Sequence, residues 1–408
     1  MRRHPILLPL IAFLAFVSLG LPDGVLGVAW PSIRKTFDLP ISQLGSLLAT
    51  SMVGYLLSSF FAGALVARLG IGHLLVGSSM LVVAGLTGFA VAPAWWVMVA
   101  CSLFAGLGAG AIDSAINAHA AAAFAPRTVT LLHACYGIGA TLGPLLMTAV
   151  IAAQLPWRRG YALLAIILAA LGVVFLLTSR WWDTTGSEPR ATTRRPNTQT
   201  PILSALRRPW VLLNITIFFL YTGLEVTAGQ WAFSLLTESR RLSPAAAGVW
   251  VGMYWGALTA GRIVFGVLAG RLPAATLLIT ALLGAPVAAA LFWLARPHGA
   301  ALLGLPLLGF CLAPIYPLLI SLTPSRVGSA VAPLSIGFQV SAATLGAAAV
   351  PGFAGVIARR AGLEILGPFL LIGTLVLLAL HLLSARSSRV TESSSPNTDQ
   401  DSPLPVSL

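Results

Sequence analysis

Three carboxylates, Asp23, Asp113 and Glu225, stand inside apolar stretches of this 408-residue chain, whereas the other eight of its eleven acidic residues fall in polar segments. A charge at a bilayer centre costs roughly 2.5–3.5 kcal/mol, so each must face a cavity or a partner, and burying two of them together favours a proton on at least one. That is the chemistry of proton coupling. Asp23 lies in Gly20-Leu21-Pro22-Asp23-Gly24, where Pro removes a helix hydrogen bond and Gly loosens the backbone, which predicts a helix broken at a cavity. The plainer alternative is a proline kink whose freed donors the carboxylate caps. Asp113 precedes Asn117 by four residues, hence on one helix face, and the pair either meets a ligand or joins two helices. Glu225 belongs to Tyr221-Thr222-Gly223-Leu224-Glu225, with Gln230 and Trp231 following. Hydroxyl-rich ligands suit this mixture, because carboxylate and amide exchange hydrogen bonds while an aromatic face packs on a sugar ring. An interhelical hydrogen bond beside an ordinary anchor is the alternative.

Tyr136, Trp255 and Tyr316 also fall toward the interiors of apolar stretches, where core and binding readings compete, and Gln339 and Asn214 read as ligand contacts or helix glue. His133 could relay protons or serve structure, as could His119. Trp95, Trp96, Trp181, Trp182 and Trp293 lie where stretches end and read as interface anchors. Cys101, Cys135 and Cys311 have no metal-ligand spacing, and no nucleotide loop or Ser/His/Asp arrangement occurs, so neither an enzyme nor a bound cofactor or metal is expected.

Membrane spans must position these groups. The chain is 57% hydrophobic and only 9% charged, with a mean hydropathy of +0.91, which excludes an ordinary soluble domain. Roughly 20 apolar residues cross a bilayer, and twelve such stretches occur, near 6–30, 43–67, 73–92, 96–122, 130–153, 161–181, 210–236, 246–270, 274–295, 299–322, 330–357 and 364–385. The first, with Pro22 and Asp23, reads as a retained helix rather than a signal peptide. The net charge of +13 is carried by arginines scattered in ones and twos between apolar runs, a topology signal and not a nucleic-acid surface. With both termini cytoplasmic, fourteen basic residues fall inside and nine outside, leaving Arg262 within a helix. The expected organisation is an N-terminal six-helix half over 1–181, a Thr-, Arg- and Pro-rich cytoplasmic linker over 182–209, a C-terminal half over 210–385 and a disordered tail over 386–408.

The halves are related at an offset close to 203 residues: Gly63 and Arg68 match Gly266 and Arg271, Gly106 and Gly143 match Gly309 and Gly346, and Asp113 falls opposite Tyr316. Asp23 falls opposite Glu225. Such parallel repeats surround a midplane site in many transporters.

Twelve spans in two related halves resemble the major facilitator superfamily. The Asp-bearing first helix, Gly108-Ala109-Gly110-Ala111-Ile112-Asp113, Leu132-His133-Ala134-Cys135-Tyr136-Gly137, Tyr254-Trp255-Gly256 with Gly261-Arg262, and Ala313-Pro314-Ile315-Tyr316-Pro317 look like its fucose permease branch. The resemblance implies an all-α fold of two pseudo-symmetric six-helix halves and proton-coupled sugar uptake, with Asp23 and Asp113 exchanging protons. From the residues themselves, a solute is expected to be bound by Asn117, Tyr136, Glu225, Gln230, Trp231, Trp255, Tyr316 and Gln339, with gating by Arg68, Arg262 and Arg271. Sodium is an alternative coupling ion. The fourth-span acid is Asp where the fucose transporter has Glu, and Gly63-Ala64-Leu65-Val66-Ala67-Arg68-Leu69-Gly70 lacks the Asp and basic pair that usually follow the second span. Gly139-Ala140-Thr141-Leu142-Gly143-Pro144 resembles an antiporter signature, so a proton-driven exporter of a drug or secondary metabolite is the second reading. A multi-pass monomer with no nucleic-acid partner is expected, in a bacterial inner membrane, the last from the excess of Arg over Lys.

Overall fold

The computed structural model describes residues 7–124, 126–184, 209–294, 300–327 and 331–393. These form helices, with no strand among the described residues. Twelve are long and apolar enough to cross a membrane: α1 Leu7–Thr36, α2 Ile41–Leu69, α3 Ile71–Val91, α4 Trp95–Ala120, α5 Leu131–Ala152 and α6 Trp157–Trp182, then α7 Trp210–Ser239, α8 Pro244–Leu268, α9 Ala274–Leu294, α10 Gly304–Pro324, α11 Leu334–Ala361 and α12 Leu363–Ser384. In hydrocarbon every backbone polar group must be satisfied internally, which such helices do.

The chain departs from the expected boundaries at several places, among them α11, which runs on to Ala361 rather than ending at 357. The first span continues past residue 30 to Thr36 and takes in Arg34 and Lys35, because long basic side chains reach polar surroundings from a helix end. The last helix runs to Ser393, into the segment expected to be a disordered tail; nothing before Pro396 breaks it. The sixth helix extends to Thr184. Most of the 182–209 linker, and the tail beyond residue 393, lie outside the described residues.

Packing follows the repeat. Gly143 on α5 lets that helix meet the Leu21 carbonyl of α1, and Gly346 on α11 does the same against the Phe219 carbonyl of α7. Gly106 on α4 meets Ser51 of α2 as Gly309 on α10 meets Tyr254 of α8. Glycines at one sequence offset thus make the same interhelical approach in both halves, the small-residue packing that apolar helices need in lipid, where no hydrophobic force drives them together. The two six-helix halves are pseudo-symmetric.

The halves meet along α5 and α8, where Gly137 lies against Thr259, and also at the end where α1 and α7 finish. Gly27 of α1 lies against the Gln230 backbone of α7, and Gly45 of α2 against Gly352 of α11; an added Cβ would come within 2.6 Å and 3.0 Å of those atoms, respectively. There Arg34 donates to Glu238 through Nη2 at 2.5 Å and Nε at 3.2 Å. Among the described residues this is the one ion pair joining the halves.

Candidate functional site

α1 is broken where the sequence predicts. Helix Leu7–Gly20 gives way to a turn, and a second helix begins at Val25. Gly24 has φ of +70°, a conformation that costs an L-residue roughly 1–2 kcal/mol. Its missing side chain also makes room for Trp255 of α8, whose Nε1 would lie 2.6 Å from a Cβ there. The break leaves Asp23 facing the bundle interior, where the Tyr136 hydroxyl of α5 donates to its carboxylate.

Asp113 is held on both sides. The Tyr55 hydroxyl of α2 donates to Oδ2 at 2.6 Å and the Asn117 amide to Oδ1 at 2.9 Å, the latter because residues four apart share a helix face. Asp23 and His133 are both within electrostatic reach of Asp113. Neither Asp23 nor Asp113 has an ion pair among the described residues.

The facing half supplies a charged pair of its own. Arg262 of α8 reaches Glu225 of α7 at 3.4 Å, and the other carboxylate oxygen accepts from Tyr221, one turn earlier. The Tyr254 hydroxyl donates to the Glu225 carbonyl at 2.7 Å, tying α8 to α7. Tyr316 of α10 packs edge-on against Phe218, at 5.1 Å, with Tyr221 beside it. Glu225 is also within electrostatic reach of Asp23, so the two clusters meet across the midline.

Five of the chain's six tyrosines therefore gather here, giving hydroxyls that donate and accept around three carboxylates and one guanidinium. Asp23, Asp113, Asn117, Tyr136, Arg262 and Tyr316 remain partly exposed, and His133, nearer the start of α5, is exposed.

The structure thus brings together Asp23, Asp113, Asn117, Tyr136, Glu225, Arg262 and Tyr316. Trp255 is buried against the α1 break, and Gln230 is buried beside Gly27, with Trp255 Nε1 and Gln230 Oε1 lacking hydrogen-bond partners. Two expected solute contacts stand elsewhere. Trp231 is buried and donates from Nε1 to the Pro351 carbonyl at 2.9 Å, locking α7 to α11, because an indole N–H in an apolar core takes a nearby carbonyl. Gln339 is buried and bonds Thr323 at 3.1 Å, joining α11 to α10. Of the three expected gating arginines, Arg262 sits in the pair with Glu225, apart from the others, while Arg68 and Arg271 are exposed at the end where α2 and α8 finish, without an ion pair among the described residues.

Three contributors, Tyr55, Tyr221 and Tyr254, were not among the expected site residues. Tyr55 has only Ser51, Ser58 and Ser59 at helical spacing, and no charged group there singles it out, whereas Tyr221, quoted as part of the Glu225 motif, stands one helical turn before that carboxylate.

Similarity to known proteins agrees with this architecture. The chain is 22% identical over 400 residues to Bypass of stop codon protein 6 of Saccharomyces cerevisiae, covering 86% of this chain and 76% of the yeast protein. Its fold matches the inward-facing, unoccupied structure of a bacterial homolog of the human lysosomal transporter Spinster, with a TM-score of 0.78 at 13% identity over 97% of this chain and all of the other. It also matches a D-xylose-proton symporter, with a TM-score of 0.69 at 14% identity, over 91% of this chain and 96% of that one. The Major Facilitator Superfamily model matches residues 12–339, and with twelve helices in two related halves around a polar midplane site, this multi-pass membrane protein belongs to that superfamily of transporters.

Proposed function

We propose that the protein is a proton-coupled symporter of a small polar, hydroxyl-bearing solute, sugar-like in its chemistry, working by alternating access. One observation carries the reading: Asp23 and Asp113 lie inside the membrane without a cation partner among the described residues, each held by a tyrosine hydroxyl, opposite the Glu225–Arg262 pair of the other half. A lone carboxylate in a span is costly charged and tolerable neutral, so a site that alternates between water and closure has reason to load and unload a proton there. Asn117, Tyr136, Tyr316 and Arg262 offer the donors and acceptors a polyol needs. Trp255 and Gln230, with unpartnered polar atoms, would gain partners from it.

In this scheme Asp23 and Asp113 take up the proton with solute bound, and the Arg34–Glu238 contact parts when the halves rock the other way. The present shape is then the inward-open one, with both termini in the cytoplasm and the linker joining the two halves there, in a bacterial inner membrane. The similarity to a D-xylose-proton symporter and the motifs resembling the fucose permease branch support this reading. Trp231 and Gln339 act by fixing helices and not by touching solute.

The test is counterflow of radiolabelled monosaccharides in proteoliposomes. Accumulation of at least one sugar, competed by the unlabelled sugar and absent from empty liposomes, supports the assignment. Counterflow confined to lipophilic drugs, with none for any sugar or polyol, would replace it with the exporter reading.

A further inference from the structure

At the end of the bundle where α7 begins and α10 and α12 finish, three side chains converge, each with a buried polar atom that has no partner. Arg326, just beyond α10, places its guanidinium 5.9 Å from the centroid of the Trp210 ring. It also lies within electrostatic reach of His381 on α12. Asn214, one turn after Trp210, donates to the Trp210 carbonyl at 2.9 Å and to the Ser384 hydroxyl at 3.2 Å, and Ser384 is three residues past His381 on the same face. The three helix ends are thereby tied into one cluster.

Within it, Arg326 Nη1, Trp210 Nε1 and His381 Nδ1 are each buried and without a hydrogen-bond partner. His381 is only 5% exposed. No carboxylate pairs with Arg326 among the described residues, and burial lowers its pKa from the ordinary arginine value. Orphaned buried donors are rare, and an unpaired buried charge is expensive, so a cation and two ring nitrogens in one place call for an acceptor that is itself charged. A phosphate group fits: its oxygens match the arginine fork and leave others for an indole N–H and an imidazole N–H.

The surroundings say where that phosphate comes from. Leu212 on α7 and Leu382 and Leu383 on α12 are 50%, 45% and 55% exposed, a hydrocarbon-facing rim next to the cluster. Trp210 opens its span, the headgroup level at which tryptophan concentrates. An anion that lays acyl chains over these leucines and its headgroup on the arginine satisfies both features. We propose that Trp210, Arg326 and His381 form a binding site for the phosphate of an anionic phospholipid, separate from the solute cavity and bracing α7, α10 and α12 at this end.

The test is thermal unfolding of the full-length protein, delipidated by extended detergent exchange, with dioleoylphosphatidylglycerol, dioleoylphosphatidylcholine or inorganic phosphate added at equal phosphorus. The expected result is an upward shift of the wild-type midpoint by the anionic lipid alone, lost in Arg326→Gln and Trp210→Phe. If inorganic phosphate gives the same variant-sensitive shift, the phosphate site stands and its ligand comes from solution. Should Arg326→Gln fail to fold, Trp210→Phe, which keeps an aromatic side chain, though a smaller one, and removes the N–H, decides by native mass spectrometry through the number of phosphatidylglycerol molecules retained. No wild-type shift, an equal shift with the zwitterionic lipid, or a shift and lipid count unchanged in the variants overturns the proposal.

Discussion

Tyr55 on α2 donates a 2.6 Å hydrogen bond to Asp113 on α4, two helices of the same half, and so fixes the carboxylate on the face that looks toward Tyr316 of the other half. A hydrogen bond to a charged acceptor contributes about 1.5–3 kcal/mol. Tyr55→Phe removes one of the two donors to Asp113 while leaving the ring packing. Proton-coupled transport is expected to fall by roughly tenfold or more, equivalent to about 1.4 kcal/mol, with thermal stability close to wild type. Initial rates in proteoliposomes under an imposed pH gradient check this; an unchanged rate would remove Tyr55 from the account.

Arg262 and Glu225 depend on each other. Taking away one partner of a buried pair leaves an uncompensated charge and costs about 3–5 kcal/mol when burial is complete, less here because the Arg262 side chain is 28% exposed. Arg262→Gln should therefore lower the unfolding midpoint clearly. The Arg262→Gln, Glu225→Gln double variant should recover most of that loss while remaining inactive in transport, since neutral amides restore hydrogen bonding without restoring charge. Thermal melts of the two variants side by side provide the comparison.

The Arg34–Glu238 contact is partly exposed, with side chains 30% and 25% accessible, so it contributes at most about 1 kcal/mol to stability. Its position across the halves gives that small energy leverage on conformation, because 1 kcal/mol shifts a two-state population about fivefold. Glu238→Gln should leave folding intact and raise the labelling rate of a cysteine placed at Ser42, which lies across the halves beside Gly355. The charge-reversed double variant, Arg34→Glu with Glu238→Arg, should return labelling toward the starting rate. Equal labelling in all three proteins would count against the pair as a latch between the halves.

Gly24 combines positive φ with close contact to Trp255, so Gly24→Ala meets two separate penalties. The variant should lose transport, through displacement of Asp23, and shift the tryptophan emission. Adding Trp255→Leu relieves the crowding against the indole, but neither that against Pro144 Cγ, 2.8 Å from such a Cβ, nor the backbone strain, and should restore stability in part only. Melting curves for the single and double variants separate the two contributions.

The reach of the sequence can be judged from particular residues. Charges inside apolar stretches are conspicuous because lipid makes them costly, so Asp23, Asp113, Glu225 and Arg262 stood out at once, and Pro22 between glycines foretold the break in α1. The repeat was legible through Gly106, Gly143, Gly309 and Gly346, whose lack of a side chain is what the interhelical contacts require. Partners distant in sequence were not. Nothing in local spacing joins Tyr136 to Asp23, Arg34 to Glu238 or Trp231 to Pro351, since these pairings arise only when helices pack. Trp231 and Gln339 misled because an indole or an amide in a span looks the same whether it meets a solute or a neighbouring helix. The ends of α1 and α12 ran past the apolar runs because hydropathy marks where lipid stops, whereas a helix continues until something breaks it.

The most direct test of the central claim is proton movement into proteoliposomes holding an internal pH dye, on addition of a monosaccharide that gives counterflow, for the wild type, Asp23→Asn and Asp113→Asn. The account predicts solute-evoked acidification in the wild type that is abolished in both variants. Solute entry without acidification in the wild type, or acidification undiminished in both variants, would contradict it.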